Sequence, residues 1–233
     1  MGSSGSSAAI VVRRAGGLQL RVNGTLASFQ RPGRELTGPV WWALAAPILL
    51  LAPRARPPRV LLLGLGGGSV ARALRRLDPA AELVGVERDH DVLRLARRHF
   101  GLGQLGIEVV VDDVFCYLRE ERRTFDLVIE DVFVGPLRTV HKPVGLLDVA
   151  YPLIGRRLRP GGLVVSNTIH ESPAVVRAMR PFGPRVVSLD IKRHWNRIVV
   201  GGASVPVPRE IRRILSHSEP LARMLRHASI RER

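Results

Sequence analysis

The stretch RVLLLGLGGGSVARALRRLDPAAELVGVERD, Arg59 to Asp89, decides the fold. Its apolar run, Val60 to Leu63, has the composition of a parallel strand buried on both faces. The run breaks into Gly64, Leu65, Gly66, Gly67 and Gly68, then restarts with helical spacing at Val70, Leu74 and Leu77, closed by Asp78-Pro79. A second apolar run, Leu83 to Val86, ends in Glu87 with Arg88 beside it. These pieces make one βαβ unit. Glycine lets the backbone turn sharply and approach a ligand where a Cβ would collide. The helix that starts just after the glycines offers free N–H groups and a partial positive charge. Glu87, about twenty residues past the loop, stands where a carboxylate accepts both hydroxyls of a ribose. The unit predicts nucleoside binding.

Outward from it the pattern repeats. Asp89 predicts an N-cap for a helix whose apolar face is Val92, Leu93, Leu95, Ala96 and Phe100, ended by Gly101, Gly103 and Gly106. Ile107 to Val111 reads as a third strand running into Asp112-Asp113, and Phe125 to Ile129 as a fourth running into Glu130-Asp131. A helix is expected over Gly145 to Leu158, a turn at Pro160-Gly161-Gly162 and a fifth strand over Leu163 to Asn167. Strands alternating with helices predict an α/β fold with a doubly wound, mostly parallel sheet. In such sheets ligands sit outside the carboxyl ends of the strands. Four successive strand ends here carry glycines or acids.

Upstream, Ile10 to Gln30 alternates in short runs with Asn23-Gly24 between two of them, the signal of a type I′ hairpin. The expected division is a tail or cloning scar over 1–9, a β-hairpin subdomain over 10–35, a Rossmann-like domain over 36–205 and a basic helical extension over 206–233. A loop is expected from Arg31 to Pro39 and a helix from about Val40 to Leu51. The apolar stretch Pro39 to Pro53 is too short to cross a bilayer. With no secretory signal and Cys116 as the sole cysteine, a cytoplasmic protein without membrane contact is expected.

The net charge of +16 invites a nucleic-acid partner. Yet Lys142 and Lys192 are the only lysines among 36 basic residues, the arginines are scattered over every helix, and stacking aromatics are few. Nucleic acid is therefore not the favoured partner. No Cys/His cluster has metal-ligand spacing, so no metal is expected. His141 and His170 are candidate bases if they lie beside a substrate. Trp41 and Trp42 suit either a pocket roof or core packing. A nicotinamide oxidoreductase is disfavoured, because the third glycine of GxGxxG falls on Ser69.

The motifs VLLLGLGGGSVARAL, LVGVERD, IEVVVDDVFCYL and FDLVIEDVFVGP resemble those of spermidine synthases and their methyltransferase-like relatives, of the class I S-adenosylmethionine-dependent fold. LQLRVNGTLASF resembles that family's small N-terminal β domain. The resemblance implies that Gly64, Leu65, Gly66, Gly67 and Gly68 hold the cofactor's tail and Glu87 (beside Arg88) its ribose. Asp112, with Asp113 and Val114, would hold the adenine, and Asp131 would be the catalytic acid. It also implies S-adenosylmethionine or its decarboxylated form as cofactor. The acceptor would be a small molecule or a protein, and the chain a candidate homodimer.

Departures from the family separate two reactions. Aminopropyltransferases carry an Asp inside the glycine loop, which pairs with the ammonium of the decarboxylated cofactor; Gly67 stands there. The family's second acid is Val134, and its polyamine-binding Gln and Tyr-His have no match within Ala27 to Trp42. Methyl transfer is the expected reaction, with aminopropyl transfer and a non-catalytic scaffold of the same fold as alternatives.

Overall fold

The computed structural model describes residues 8–14, 16–31 and 38–233. The loop expected from Arg31 to Pro39 falls largely outside them. Three strands, β1 (Ala9–Arg14), β2 (Gly17–Val22) and β3 (Thr25–Gln30), form a small antiparallel sheet. Asn23 (φ 50°) and Gly24 (φ 80°) make its tight turn, both left-handed as a type I′ hairpin requires. The helix α1 (Pro39–Ala45) is shorter than expected. Pro47, which has no N–H to donate, tightens residues Ala46–Leu50 into a 3₁₀ turn.

The main sheet has eight strands. In chain order come β4 (Arg59–Leu63), α2 (Ser69–Leu77), β5 (Glu82–Val86), α3 (His90–Phe100), β6 (Ile107–Val110), α4 (Val114–Glu120) and β7 (Phe125–Glu130). Then follow α5 (Tyr151–Arg157), β8 (Leu158–Thr168), α6 (Ser172–Met179), β9 (Arg185–Ile191) and β10 (Arg197–Gly202). The chain finishes with α7 (Pro208–Ser216), α8 (Glu219–Leu225) and β11 (Ala228–Glu232). The spatial order is β11-β9-β10-β8-β7-β4-β5-β6. β4, β5, β6, β7 and β8 pair in parallel, whereas β10, β9 and β11 join antiparallel. Val60, Leu61, Leu62 and Leu63 are all at most 1% exposed, as a central strand covered on both faces must be. Fully burying one such leucine contributes about 1.5–3 kcal/mol.

Three expectations change. The helix expected from Gly145 opens as a π turn over Leu146–Ala150 before α5 begins. Pro160-Gly161-Gly162 is not a turn ahead of the strand but a bulge within β8, whose pairing with β7 jumps from Leu158 to Leu163. The basic C-terminal segment is not all helical: after α7 and α8, β11 pairs with β9 along the sheet edge. Its alternation Ala-Ser-Ile-Arg-Glu is too polar to stand out as a strand. Among the described residues, no helix is long and apolar enough to cross a membrane.

Candidate active site

A cavity of about 1260 Å³ opens at the carboxyl edge of the parallel strands, beneath the small sheet. Ligand pockets typically measure roughly 300–1,000 Å³, so this one has room for two molecules. Gly64, Leu65, Gly66, Glu87, Arg88, Asp112, Asp113, Val114 and Asp131 all line it. The predicted residues from four strand ends therefore meet in one place. Gly67 and Gly68 turn away from it: a Cβ on Gly67 would lie 2.7 Å from Ser28 Cβ, and one on Gly68 would press on Leu102 and Leu105.

The glycine loop has geometry that larger residues resist. Gly64 (φ +85°) is left-handed, and a Cβ there would lie 2.6 Å from the carbonyl oxygen of Asp131. Glu87 clamps the loop from the side. Its Oε2 accepts the N–H of Gly66 (3.0 Å) and its Oε1 the N–H of Asp89 (3.1 Å). The small sheet fastens it from above. Ser28 Oγ on β3 accepts the N–H of Gly67 (2.8 Å), and Ser69 Oγ accepts the N–H of Phe29 (3.3 Å). At the tip of β6 the two neighbouring acids divide their work. Asp113 caps α4 through the N–H of Phe115 (2.9 Å) and lies 3.5 Å from Arg88. Asp112 accepts the N–H of Asp113 (2.7 Å).

Asp131 stands just beyond β7, on the far side of the glycine loop. Its Oδ1 accepts an N–H from Asn167 (2.8 Å), whose own Oδ1 accepts one from Asn196 (2.9 Å). Burial raises the Asp131 carboxyl above its usual range, while the Asn167 hydrogen bond and the Lys142 charge pull it back. Beneath it, Glu130 is fully buried and accepts from Lys142 Nζ (2.6 Å), Ser166 Oγ (2.6 Å) and the N–H of Val132 (2.7 Å). The Lys142 ammonium also lies 4.0 Å from the centre of the Phe133 ring. Removing one partner of such a buried pair strands the other charge, at a cost of about 3–5 kcal/mol.

Sequence reading did not single out Ser28, Lys142, Asn167 or Asn196. Asn167 could have been found by the strand-end rule, since it closes the fifth strand. Asn196 could not, because β10 is antiparallel and brings its start, not its end, to this edge. Of the candidate bases, His141 is exposed with Nδ1 2.7 Å from the Thr139 carbonyl, and His170 is exposed at the rim. Trp42 is in the core, and Trp41, 8% exposed, packs there while touching the cavity.

A protein-family model described as a methyltransferase domain matches residues 60–162, from β4 to the bulge of β8. A polyamine aminopropyltransferase 2 from Caldanaerobacter subterraneus subsp. tengcongensis is 32% identical over 120 residues, covering 47% of this chain and 40% of that protein. The structure of a probable spermidine synthase from Corynebacterium glutamicum superposes with a TM-score of 0.77 at 20% identity, over 98% of this chain and 88% of that one. Human methyltransferase-like protein 13, solved in complex with SAH, gives 0.60 at 21%, over 81% and 89%. Matches to the first curated relatives span 40% and 43% of their length, less than half. Sheet order and site layout define a class I methyltransferase-type fold. Within that fold, the chain is similar in sequence to polyamine aminopropyltransferases over the matched segments.

Proposed function

We propose that the chain is an S-adenosylmethionine-dependent transferase that alkylates an amine held at Asp131. The observation that carries this reading is the abutment of the acid on the cofactor cradle: the Asp131 carbonyl closes the space beside Gly64, with Glu87 and Asp112 on the other side. The residues present fit the cofactor. Two Glu87 lone pairs are held by backbone N–H groups, which leaves two for ribose hydroxyls. Asp112 would receive the adenine amine. When bound, the cofactor supplies an electrophilic carbon on its sulfonium. The amine nitrogen would be the nucleophile toward that carbon, and Asp131 would take the proton it gives up. Burial makes that carboxylate a stronger base than an exposed one, and Asn167 fixes its orientation. Positioning does most of the rest.

Two groups are candidates for transfer, and different observations support each. Kinship supports aminopropyl transfer at least as strongly as methyl transfer, since the curated relatives matched here are named polyamine aminopropyltransferases. The local geometry supports methyl transfer. No carboxylate stands at position 67, and the space beside it is filled by Ser28, so nothing there pairs with the ammonium of a decarboxylated tail. Calorimetric titration of the parent protein with both cofactors decides. Tight binding of the decarboxylated form alone removes the methyl reading. Gly67→Asp by itself is not a clean test, because its Cβ displaces Ser28; it needs Ser28→Gly beside it. A thermal shift with S-adenosylhomocysteine tests the class, since a ligand at a hundred times its Kd adds about 2.7 kcal/mol. No binding of any of the three leaves a scaffold without catalysis.

A further inference from the structure

The sheet order divides the cavity into two chemically unlike halves on either side of β4. Toward β5 and β6 stand the acids Glu87, Asp112 and Asp113; toward β7, β8 and β10 stand Asp131, Asn167 and Asn196. Neighbouring strands lie about 4.8 Å apart, so the second half spans roughly 10 Å from β7 to β10. Nearby carboxylates there are already engaged. Glu130 is closed by Lys142, Ser166 and the Val132 N–H. Glu171 accepts the backbone N–H groups of Ile169 and His170 (3.0 Å each) and Lys142 (3.3 Å). Among the described residues, Asp131 is the one acid lining this half, and Arg138, His141, His170 and His194 line the cavity as well. An acceptor with two ammonium groups would find a carboxylate in this half for only one of them.

The same half carries an indole without a packed environment. Trp195, on the β9–β10 turn next to Asn196, lines the cavity and is 80% exposed. A surface of that size and flatness suits a ring stacked against it. We infer that the acceptor is a monoamine with a flat aromatic body, its nitrogen at Asp131 and its ring against Trp195. This rests on the transferase reading above, and it departs from the diamine class that the relatives' names imply.

The test uses the whole chain and two probes, tyramine and putrescine. S-adenosylhomocysteine is titrated first, and each amine is then titrated into the saturated protein. Tyramine is expected to bind at least tenfold more tightly than putrescine, in the presence of the nucleoside. Trp195→Ala should weaken tyramine by roughly three- to tenfold, the range for one aromatic pair, and Trp195→Phe should restore most of the loss. Neither change should alter S-adenosylhomocysteine binding. Tighter putrescine, no binding of tyramine, or parent-like tyramine affinity in Trp195→Ala overturns the inference while the transferase reading stands. Failure of S-adenosylhomocysteine itself to bind removes both, and is seen before any amine is added.

Discussion

Replacing Glu87 by Gln tests whether this acid is a clamp on the protein itself as well as a hand for a nucleoside. Its two oxygens accept two backbone N–H groups, at 3.0 and 3.1 Å, from opposite sides of the loop. A glutamine offers one oxygen and one NH₂. Whichever way the amide is turned, one backbone N–H faces another donor. Hydrogen bonds to a charged group contribute about 1.5–3 kcal/mol, and an unsatisfied donor costs a similar amount. Glu87 is only half-buried, so water relieves part of the loss. A net destabilisation of about 1.5–3 kcal/mol is expected without any ligand. At roughly 2–4 °C per kcal/mol for a chain of this size, the Tm falls by several degrees. S-adenosylhomocysteine affinity should fall as well, by about tenfold or more, because the remaining lone pairs lose their charge. Thermal denaturation of the ligand-free variant and calorimetry of its complex read the two effects separately. A ligand-free Tm equal to that of the parent would refute the clamp.

Two further outcomes concern pH. Burial holds the Asp131 carboxyl above its ordinary value near 3.8, so its contribution to stability is present below that value and lost as pH rises through the raised one. Asp131→Asn, whose oxygen still accepts from Asn167, should therefore be more stable than the parent to urea at pH 7 and lose that advantage below pH 4, while any transfer activity disappears. At Glu121 burial acts to raise the carboxyl, but hydrogen bonds from Arg123 and Tyr117 prevail and bring it down to about 2. That contribution is present above about 4.5 and lost as pH falls toward 2, so Arg123→Met should flatten the decline in stability over that interval, measured by acid titration of the far-ultraviolet signal.

The central βαβ unit was legible because each part had its own local signature: apolar runs for β4 and β5, glycines where φ is positive, and an acid at the strand tip. The Asn23-Gly24 hairpin was legible for the same reason. What stayed hidden depends on residues distant in sequence. The Lys142–Glu130 pair joins the start of a loop to its end, and neither residue signals burial alone. The chain of amides from Asn196 to Asp131 exists because an antiparallel strand enters the sheet beside β8. β11 escaped notice because an edge strand has little apolar alternation to show. Ser28 looked like one small residue in a strand, and only the stacking of the small sheet on the glycine loop gives it a partner.

That stacking has a consequence for how the molecule opens and closes. A three-stranded sheet this small has little stability of its own. It is held by an apolar contact of Leu20 with Val92 and Phe100 of α3, and by the two serines that tie it to the glycine loop. Sheet and loop therefore open as one cooperative unit rather than as a lid over a rigid floor. Amide protons of β2 and β3 should exchange at the rate set by opening of the loop. A nucleoside bound at the loop would slow their exchange by its full binding free energy, and the small sheet, whose residues line the same cavity, would report occupancy of the site.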